Sequence, residues 1–283
     1  MKLIVIPTLI SVLASLARAQ DAIVPDQFST LQSAVFGATD VDLDGVVEIL
    51  VRSGTYAENV LVQRSNLSIS GAPGATIVGS GSIETIRVQN SVNVSISGLT
   101  VRNTGNEDGI EFARVGSVSV TNCVFTNCRD GLVMNRTQNS SASANQSFGN
   151  TGSGIKIGGG FGITLANNTC SSNQSHGIDL SGASTSTLTG NVVTANANNG
   201  LRVRDGSGNV VVGNTSSANL QSGLRIERTI GTLVTANAIT NNLEWGVRLK
   251  DTVGTDFSIL AGIQAATGDN TVTGNSNGAL RND

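Results

Sequence analysis

A repeat governs this chain. From Gly109 onward a glycine precedes a short apolar pair, recurring at Gly131, Gly154, Gly177, Gly200, Gly223 and Gly246, with a first step of 22 residues and later steps of 23. Nine residues before each glycine from Gly131 on stands an asparagine: Asn122, Asn145, Asn168, Asn191, Asn214 and Asn237. Five residues after each of these comes another: Asn127, Asn150, Asn173, Asn196, Asn219 and Asn242. A fixed period of this length belongs to solenoids, propellers and arrays.

Each glycine is followed by an apolar, an arbitrary and a second apolar residue, as in Gly177-Ile178-Asp179-Leu180. That is the period of a strand with one buried face. Stacking the repeats gives an inward column of Ile110, Leu132, Ile155, Ile178, Leu201, Leu224 and Val247, and a second of Phe112, Met134, Ile157, Leu180, Val203, Ile226 and Leu249. No helical spacing persists for three turns, so the repeats predict short strands joined by tight bends. The asparagines suit those bends, since their side chains tolerate left-handed backbone and bond to nearby main chain. Identical amides stacked about 4.8 Å apart can also bond to one another, as in cross-β ladders. A rung cannot stand alone, because about six apolar side chains at roughly 1.5–3 kcal/mol each do not cover roughly 1–2 kcal/mol of backbone entropy per residue. Neighbouring rungs must supply the remainder. The expected fold is all-β, a parallel β-helix whose most regular rungs span residues 109–249; no repeat has the Leu-x-x-Leu-x-Leu frame of a leucine-rich horseshoe.

The frame of Gly, Ile or Leu, any residue and an apolar residue, with its paired asparagines, resembles the right-handed parallel β-helix repeat of the pectate-lyase-like superfamily. The resemblance covers nearly all of the chain after residue 19 and implies the fold. It says less about function, because that superfamily includes lyases, hydrolases, esterases, epimerases, tailspikes and adhesins. Ser175-His176-Gly177 and Arg225-Ile226-Glu227 are partial echoes of polygalacturonase motifs, but the aspartates of the other motifs are missing. The Asp-Pro-His of mannuronan epimerases is absent too, the prolines being Pro7, Pro25 and Pro73. The periplasmic copper-maturation β-helix proteins share the repeat and would need soft or imidazole ligands. One His, two Met and three Cys are a scant supply.

Before the array, residues 1–19 carry Lys2, an apolar run from Leu3 to Leu16, and Ala17-Arg18-Ala19, the pattern of a secretory signal peptide. The run is too short to span a membrane, so a secreted or periplasmic protein of residues 20–283, in one domain and without membrane insertion, is expected. Without Lys2 and Arg18 the chain has 15 basic and 20 acidic residues, net −5, which does not suggest nucleic acid. Gln27 to Ala38 is expected to form a helix capped by Asp26, with Phe28, Leu31, Ala34 and Val35 closing the open end of the core. Asp40-Val41-Asp42-Leu43-Asp44-Gly45 opens like a calcium loop, with Asp40, Asp42 and Asp44 as ligands, but its twelfth position is Val51 instead of a bidentate Glu. The alternative is a solvated acidic turn. Gly54-Thr55-Tyr56-Ala57-Glu58 resembles the opening turn of pectinesterase-like chains, and here Tyr56 and Glu58 read as a folded turn near the helix. Asn139 to Ser153 is the most polar rung. After Leu249 the register breaks, and the pattern resumes at Asn270, Asn275 and Gly278; the intervening Phe257, Ile259, Leu260 and Ile263 either cover the end or wall a groove. Cys123, Cys128 and Cys170 fit no zinc spacing and read as small buried residues, although Cys123 and Cys128 are near enough in sequence to pair.

Candidate chemistry lies on the outward face. Between the inward pairs stands the column Glu111, Val133, Lys156, Asp179, Arg202, Arg225 and Arg248, and two residues on come Arg204, Glu227 and Lys250. Stacked like charges repel, so the arginines need nearby carboxylates or an anionic ligand. Guanidinium forks match carboxylate geometry, which points to an acidic polysaccharide held by Arg202, Arg204, Arg225, Arg248 and Lys250. Trp245, at the turn position, is placed either to stack on a sugar ring or to shield the last rung. His176 and Asp179 are the candidates for acid and base in proton abstraction beside a uronate carboxylate; the alternative for His176 is an exposed turn residue. The competing classes are a structural or adhesive solenoid and a lyase or epimerase with an unrecognised motif. The exported chain is expected to begin at Gln20; its intact mass checks this, and a mass that retains residues 1–19 would contradict it.

Overall fold

The computed structural model describes residues 20–257 and 270–283. The expected leader, residues 1–19, lies outside them, as do Ile259, Leu260 and Ile263 of the insertion. The described residues coil into rungs of three short strands, each pairing in parallel with its counterparts one rung before and after. One rung comprises Ile155–Phe161, Thr164–Ala166 and Thr169–Ser171. The strand after the repeat glycine belongs to the first face, the next to the second and the last to the third. The third face is a sheet of ten strands, while the first and second merge into one sheet of 21.

Register on the first face follows the two predicted inward columns. Leu132 pairs with Ile155, Ile178 with Leu201 and Leu224 with Val247, and all are fully buried. One contiguous apolar core runs from Ala22 to Leu249. The repeat glycine is required by close approach. A Cβ on Gly177 would strike the carbonyl oxygen of Gly200, the Asn196 amide and Val193.

The asparagines form two buried ladders. Asn191 donates from its backbone N–H and its Nδ2 to Asn214 Oδ1 at 2.9 and 2.8 Å, and Nδ2 also donates to the Leu165 carbonyl at 2.8 Å. Asn191 Oδ1 in turn accepts from the backbone and side chain of Asn168. Asn196 does the same between Asn173 and Asn219. The ladders pass intact over the insertion: Asn237 bonds to Asn270 and Asn242 to Asn275, although 33 residues separate each pair.

Two offsets of one residue correct the sequence columns. Val120 pairs with Ala142, a step of 22, so the ladder positions of that rung are Cys123 and Cys128, whose N–H groups bond to Asn145 and Asn150. Asn122 and Asn127 sit one place earlier, exposed and left-handed at φ 53° and 56°. All three cysteines are free and buried. Leu99 occupies the corresponding ladder position one rung earlier, since Val124 pairs with Thr100. At the last rung Gly278 pairs with Trp245, so Ala279 takes the glycine position.

The helix is shorter than expected, Leu31–Gly37, and Thr30 caps it by exchanging bonds with Ser33; Asp26 instead pairs with Arg52 at 2.7 Å. The aspartate loses the cap because the chain from Asp26 to Ser29 does not enter the helix. Leu31, Ala34 and Val35 are buried in the core. Glu58 accepts from the Leu31 and Gln32 N–H groups at 2.8 and 2.9 Å, and the Tyr56 hydroxyl donates to the Arg52 carbonyl. Glu58 thus fastens the first rungs to the positive end of the helix. In the polar rung Ser147 is buried and donates to the Gly154 carbonyl, while Phe148 points outward and is partly exposed.

Replacing Asn191 by Ala strips the Asn168 N–H and the Leu165 carbonyl of their partners. The expected loss is roughly 1–3 kcal/mol for each buried group left unpaired. Asn122→Ala alters an exposed bend where the next rung already has Ala144, and is expected to cost less than about 1 kcal/mol. Denaturant midpoints of the two variants check the contrast; equal midpoints would contradict it.

Candidate functional site

Parallel pairing stacks the outward column of the first face in register, Asp179 with Arg202, Arg202 with Arg225 and Arg225 with Arg248. The row runs further than the sequence period showed. Arg248 pairs with Arg281 across the insertion, and at the other end Glu111 pairs with Arg87. The alternation of Leu280, Arg281 and Asn282 after Asn275 was the available signal for Arg281, masked by the longer step.

Each arginine of this row has a carboxylate. Arg202 meets Asp179 through two bonds, Nε to Oδ1 at 2.9 Å and Nη2 to Oδ2 at 2.7 Å, and Asp179 is 3% exposed. Arg225 pairs with Glu227, and Arg248 Nε lies 2.7 Å from Asp283, which also takes Arg281. Arg204 reaches Asp205 at 3.6 Å, and Arg228 meets the same carboxylate at 2.6 Å. The Lys250 side chain, next to this row, makes no hydrogen bond or ion pair among the described residues. Carboxylates therefore offset the repulsion between stacked cations. They also hold the guanidinium groups in fixed positions along the face.

Residues before the repeat glycines form a third ladder, interrupted between Ser153 and His176 and after Ser222, that sequence did not reveal. Asp130 N–H donates to Asp108 Oδ1, Ser153 N–H to Asp130 Oδ1, Asn199 N–H to His176 Nδ1 and Ser222 N–H to Asn199 Oδ1. Its polarity is opposite to that of the asparagine ladders: here the later rung donates to the side chain of the earlier one. His176 is 6% exposed, not a surface turn residue. Burial, and then the charge of Arg202, push its imidazole down to about 4 against the pull of Asp179. At neutral pH the ring is uncharged, with its Nδ1 lone pair committed to Asn199 and its proton on Nε2. The sequence-derived pair is thus placed on adjoining ladders, His176 bound to Asn199 and Asp179 to Arg202. Trp245 occupies the same pre-glycine position three rungs on; its ring lies against Gly278, with the Arg281 guanidinium 5.8 Å from its centroid.

The acidic turn gathers Asp21, Asp40 and Asp42 into one group and Asp42, Asp44 and Glu48 into another. Its carboxylates also serve the turn itself: Asp40 accepts from Gly45 N–H, Asp42 from Asp44 N–H and Asp44 from Val46 N–H. Val51, the twelfth position of the calcium-like loop, is buried in the core. No helix among the described residues is long and apolar enough to cross a membrane.

Residues 65–276 match the profile of a family described as Periplasmic copper-binding protein (NosD). No curated protein matches the chain in sequence. Among solved structures, the fold is similar to an alginate lyase from Paenibacillus sp. str. FPU-7, with 14% identity and a TM-score of 0.64 over 89% of this chain and 96% of that one. It is similar to pectate lyase Pel9A, with 14% identity and a TM-score of 0.62 over 88% of this chain and 82% of that one. It is also similar to the enzymatically active domain of tailspike protein 2 from bacteriophage CBA120, with 11% identity and a TM-score of 0.63 over 93% of this chain and 46% of that one. The chain spans about half the length of that tailspike domain. At these identities the likeness is one of fold, the right-handed parallel β-helix that the repeat implies.

Because the folded state holds His176 below its ordinary value of 6.5, at about 4, the neutral ring favours folding. Its contribution is complete above pH 6.5 and is lost as pH falls through about 4. The shift corresponds to roughly 3 kcal/mol. His176→Asn keeps an acceptor for Asn199 and removes the titration. The stability advantage of the parent at pH 7 over pH 4 is expected to shrink by about that amount in the variant. Unchanged pH dependence in denaturant titrations would contradict this placement of His176.

Proposed function

Given that this chain belongs to the Periplasmic copper-binding protein (NosD) family, we propose that it works outside the cytoplasm as a single β-helix domain that associates with carbohydrate, laying an acidic polysaccharide along the outward column of its first face. The observation that carries this reading is the in-register row Arg202, Arg225, Arg248 and Arg281, one cation per rung. Its spacing of about 4.8 Å forms a linear array suited to a linear polymer with a charge on each unit. Arg204 and Lys250 widen the row on one side. The fold neighbours named as pectate lyase and alginate lyase support a sugar polymer as partner, since pectate and alginate are both chains of uronate units. Catalysis by His176 and Asp179 is the narrower reading, and the bonds that hold both side chains favour association over turnover.

Copper, named in the family's description, does not fit the described residues. A copper site draws on thiolate, thioether or imidazole ligands. Here burial pushes the Cys123 and Cys128 thiols up to about 12 and raises Cys170 as well. Met134 is fully buried, and His176 has its Nδ1 committed. The described clusters of potential ligands consist of carboxylates alone. Those oxygens suit a hard cation such as calcium better than copper.

Calorimetric titration with polygalacturonate and alginate tests the reading, with dextran as the neutral control. Both acidic polymers are expected to bind and to weaken as salt rises, because exposed charges are screened within about 10 Å at 0.1 M. Changing Arg225 and Arg248 together to Gln is expected to weaken polymer binding at least tenfold. Arg202 is left in place because it neutralises buried Asp179. Binding of neither polymer by the parent would favour a structural or adhesive solenoid; equal binding by parent and variant would move the site off this row.

A further inference from the structure

The first face has a second cationic region, toward the helix end, where the charges are not neutralised. Left-handed bends follow its strands, and they stack in register: Asn90, Arg114 and Arg136 in successive rungs, then Gly159, Gly182, Asp205, Arg228 and Asp251. A non-glycine residue in this conformation costs roughly 1–2 kcal/mol. Asparagine and aspartate bear that cost most easily, and arginine has no local bond to offset it. Where arginine recurs at Arg228, the carboxylate of Asp205 one rung back takes it through two bonds. Arg114 and Arg136 are exposed, adjacent, and make no side-chain hydrogen bond or ion pair among the described residues. Two like charges borne on adjacent strands about 4.8 Å apart, with no ion-pair partner among the described residues, are what an anion would relieve.

The two arginines open onto a built cavity. A polar pocket of about 690 Å³ is lined by both, with Arg87, Gln89, Glu111 and Asn135. Its floor is a fixed network. Asn135 Nδ2 donates to Glu111 Oε1 at 2.7 Å, and Arg87 Nη1 lies 3.1 Å from Glu84 and 3.2 Å from Glu111. Arg87 Nε donates to Gln89 Oε1 at 3.0 Å. Arg87 is therefore spent on the carboxyl groups, and the unspent cations are Arg114 and Arg136. Burial, with Glu84 beside it, holds the Glu111 carboxyl above the usual range, toward its neutral form. Arg87, Arg114 and Arg136 outnumber Glu84 and Glu111 here, so the pocket carries a positive excess. Glu84 and Glu111 are both committed to Arg87, and Glu111 also to Asn135, so these carboxylates hold the floor of the pocket, which is suited to binding.

A smaller pocket of about 360 Å³ shares Arg87 and Gln89 with this one, and is lined by Leu61 and Ile83. Leu61 is 39% exposed and Ile83 56%. A cleft with an apolar shelf at one end, amides and the Arg87-paired carboxylates of Glu84 and Glu111 in the middle, and the Arg114 and Arg136 guanidinium groups at the other fits an amphipathic, anionic ligand. A uronate sugar has all three parts: C–H faces, hydroxyls and a planar carboxylate. We propose that the joined pockets form a subsite for a uronate unit, with Arg114 and Arg136 taking its carboxylate and Leu61 and Ile83 its C–H face. This inference rests on the carbohydrate reading above but places a distinct anchor several rungs from the Arg225 and Arg248 row.

The test compares trigalacturonate with its methyl ester, titrated into the purified protein. Arg114 and Arg136 are changed together to Asn, which the same bend already accepts at Asn90, so the fold is retained. The parent is expected to bind the acid and to lose at least tenfold in affinity for the ester. The Arg114→Asn, Arg136→Asn variant is expected to lose at least tenfold for the acid and to stop distinguishing it from the ester. Arg114→Lys with Arg136→Lys is expected to recover part of the loss. If the parent binds uronate but the Asn variant binds it equally, the subsite is refuted while the carbohydrate reading stands. If the parent binds neither trimer nor polymer, both fall.

Discussion

The structure depends on buried amides that only a neighbouring rung can satisfy. Each ladder asparagine is enclosed, and in the regular rungs its oxygen takes two donors from the preceding rung while its Nδ2 reaches both the next asparagine and a main-chain carbonyl. An isolated rung would leave these groups unpaired away from water, at a cost of roughly 1–3 kcal/mol apiece. The ladders therefore make stacking obligatory and fix its register, more firmly than chain length does. Length can vary while the ladder holds: the step is 22 residues at Cys123, 23 through the array and 33 across the insertion to Asn270. At the start of the ladder the Cys123 and Cys128 thiols face main-chain carbonyls at positions where asparagines stand in later rungs.

Once the register is fixed, it decides where charge goes. A residue outward on one rung meets its counterpart on the next, so an arginine column must find carboxylates within reach. Asp179, Glu227 and Asp283 answer this for the C-terminal row, and Asp205 for Arg228. Toward the helix end the balance is different, because Glu84 and Glu111 share Arg87 and leave the Arg114 and Arg136 side chains without partners among the described residues. The same face thus holds a row of cations already neutralised and oriented, and a pocket whose cations are unspent. A polymer lying along the face meets both.

What the sequence revealed was whatever repeated with the same residue. The inward Ile, Leu and Val columns and most of the asparagines were legible because the core accepts only apolar side chains and the ladder needs an amide with both donor and acceptor. Positions that need only an acceptor were not legible. Asp108, Asp130, His176 and Asn199 serve one ladder with three chemistries, so His176 looked like a surface candidate when it is a buried acceptor. Offsets of a single residue are hidden because the stretch from Cys128 to Gly131 is one residue shorter than that from Asn150 to Gly154, which sets Asn122 and Asn127 at the glycine period but one place off the ladder. Arg281 lay behind the insertion. Arg114 and Arg136 occupy a bend column filled elsewhere by Asn, Gly and Asp, where side-chain type gives no repeat and the meaning comes from which cations lack a carboxylate.

The central claim is that the amide ladders hold the rungs together. Hydrogen–deuterium exchange resolved to single backbone amides tests it most directly. The N–H groups of Asn168, Asn191 and Asn196 lie at strand ends next to left-handed bends, where solvent would ordinarily reach them, yet each donates to a buried Oδ1. The account predicts that they exchange as slowly as the N–H of Leu180 in the core strand. Exchange at the rate of the N–H of Asn127, in its exposed bend, would contradict it.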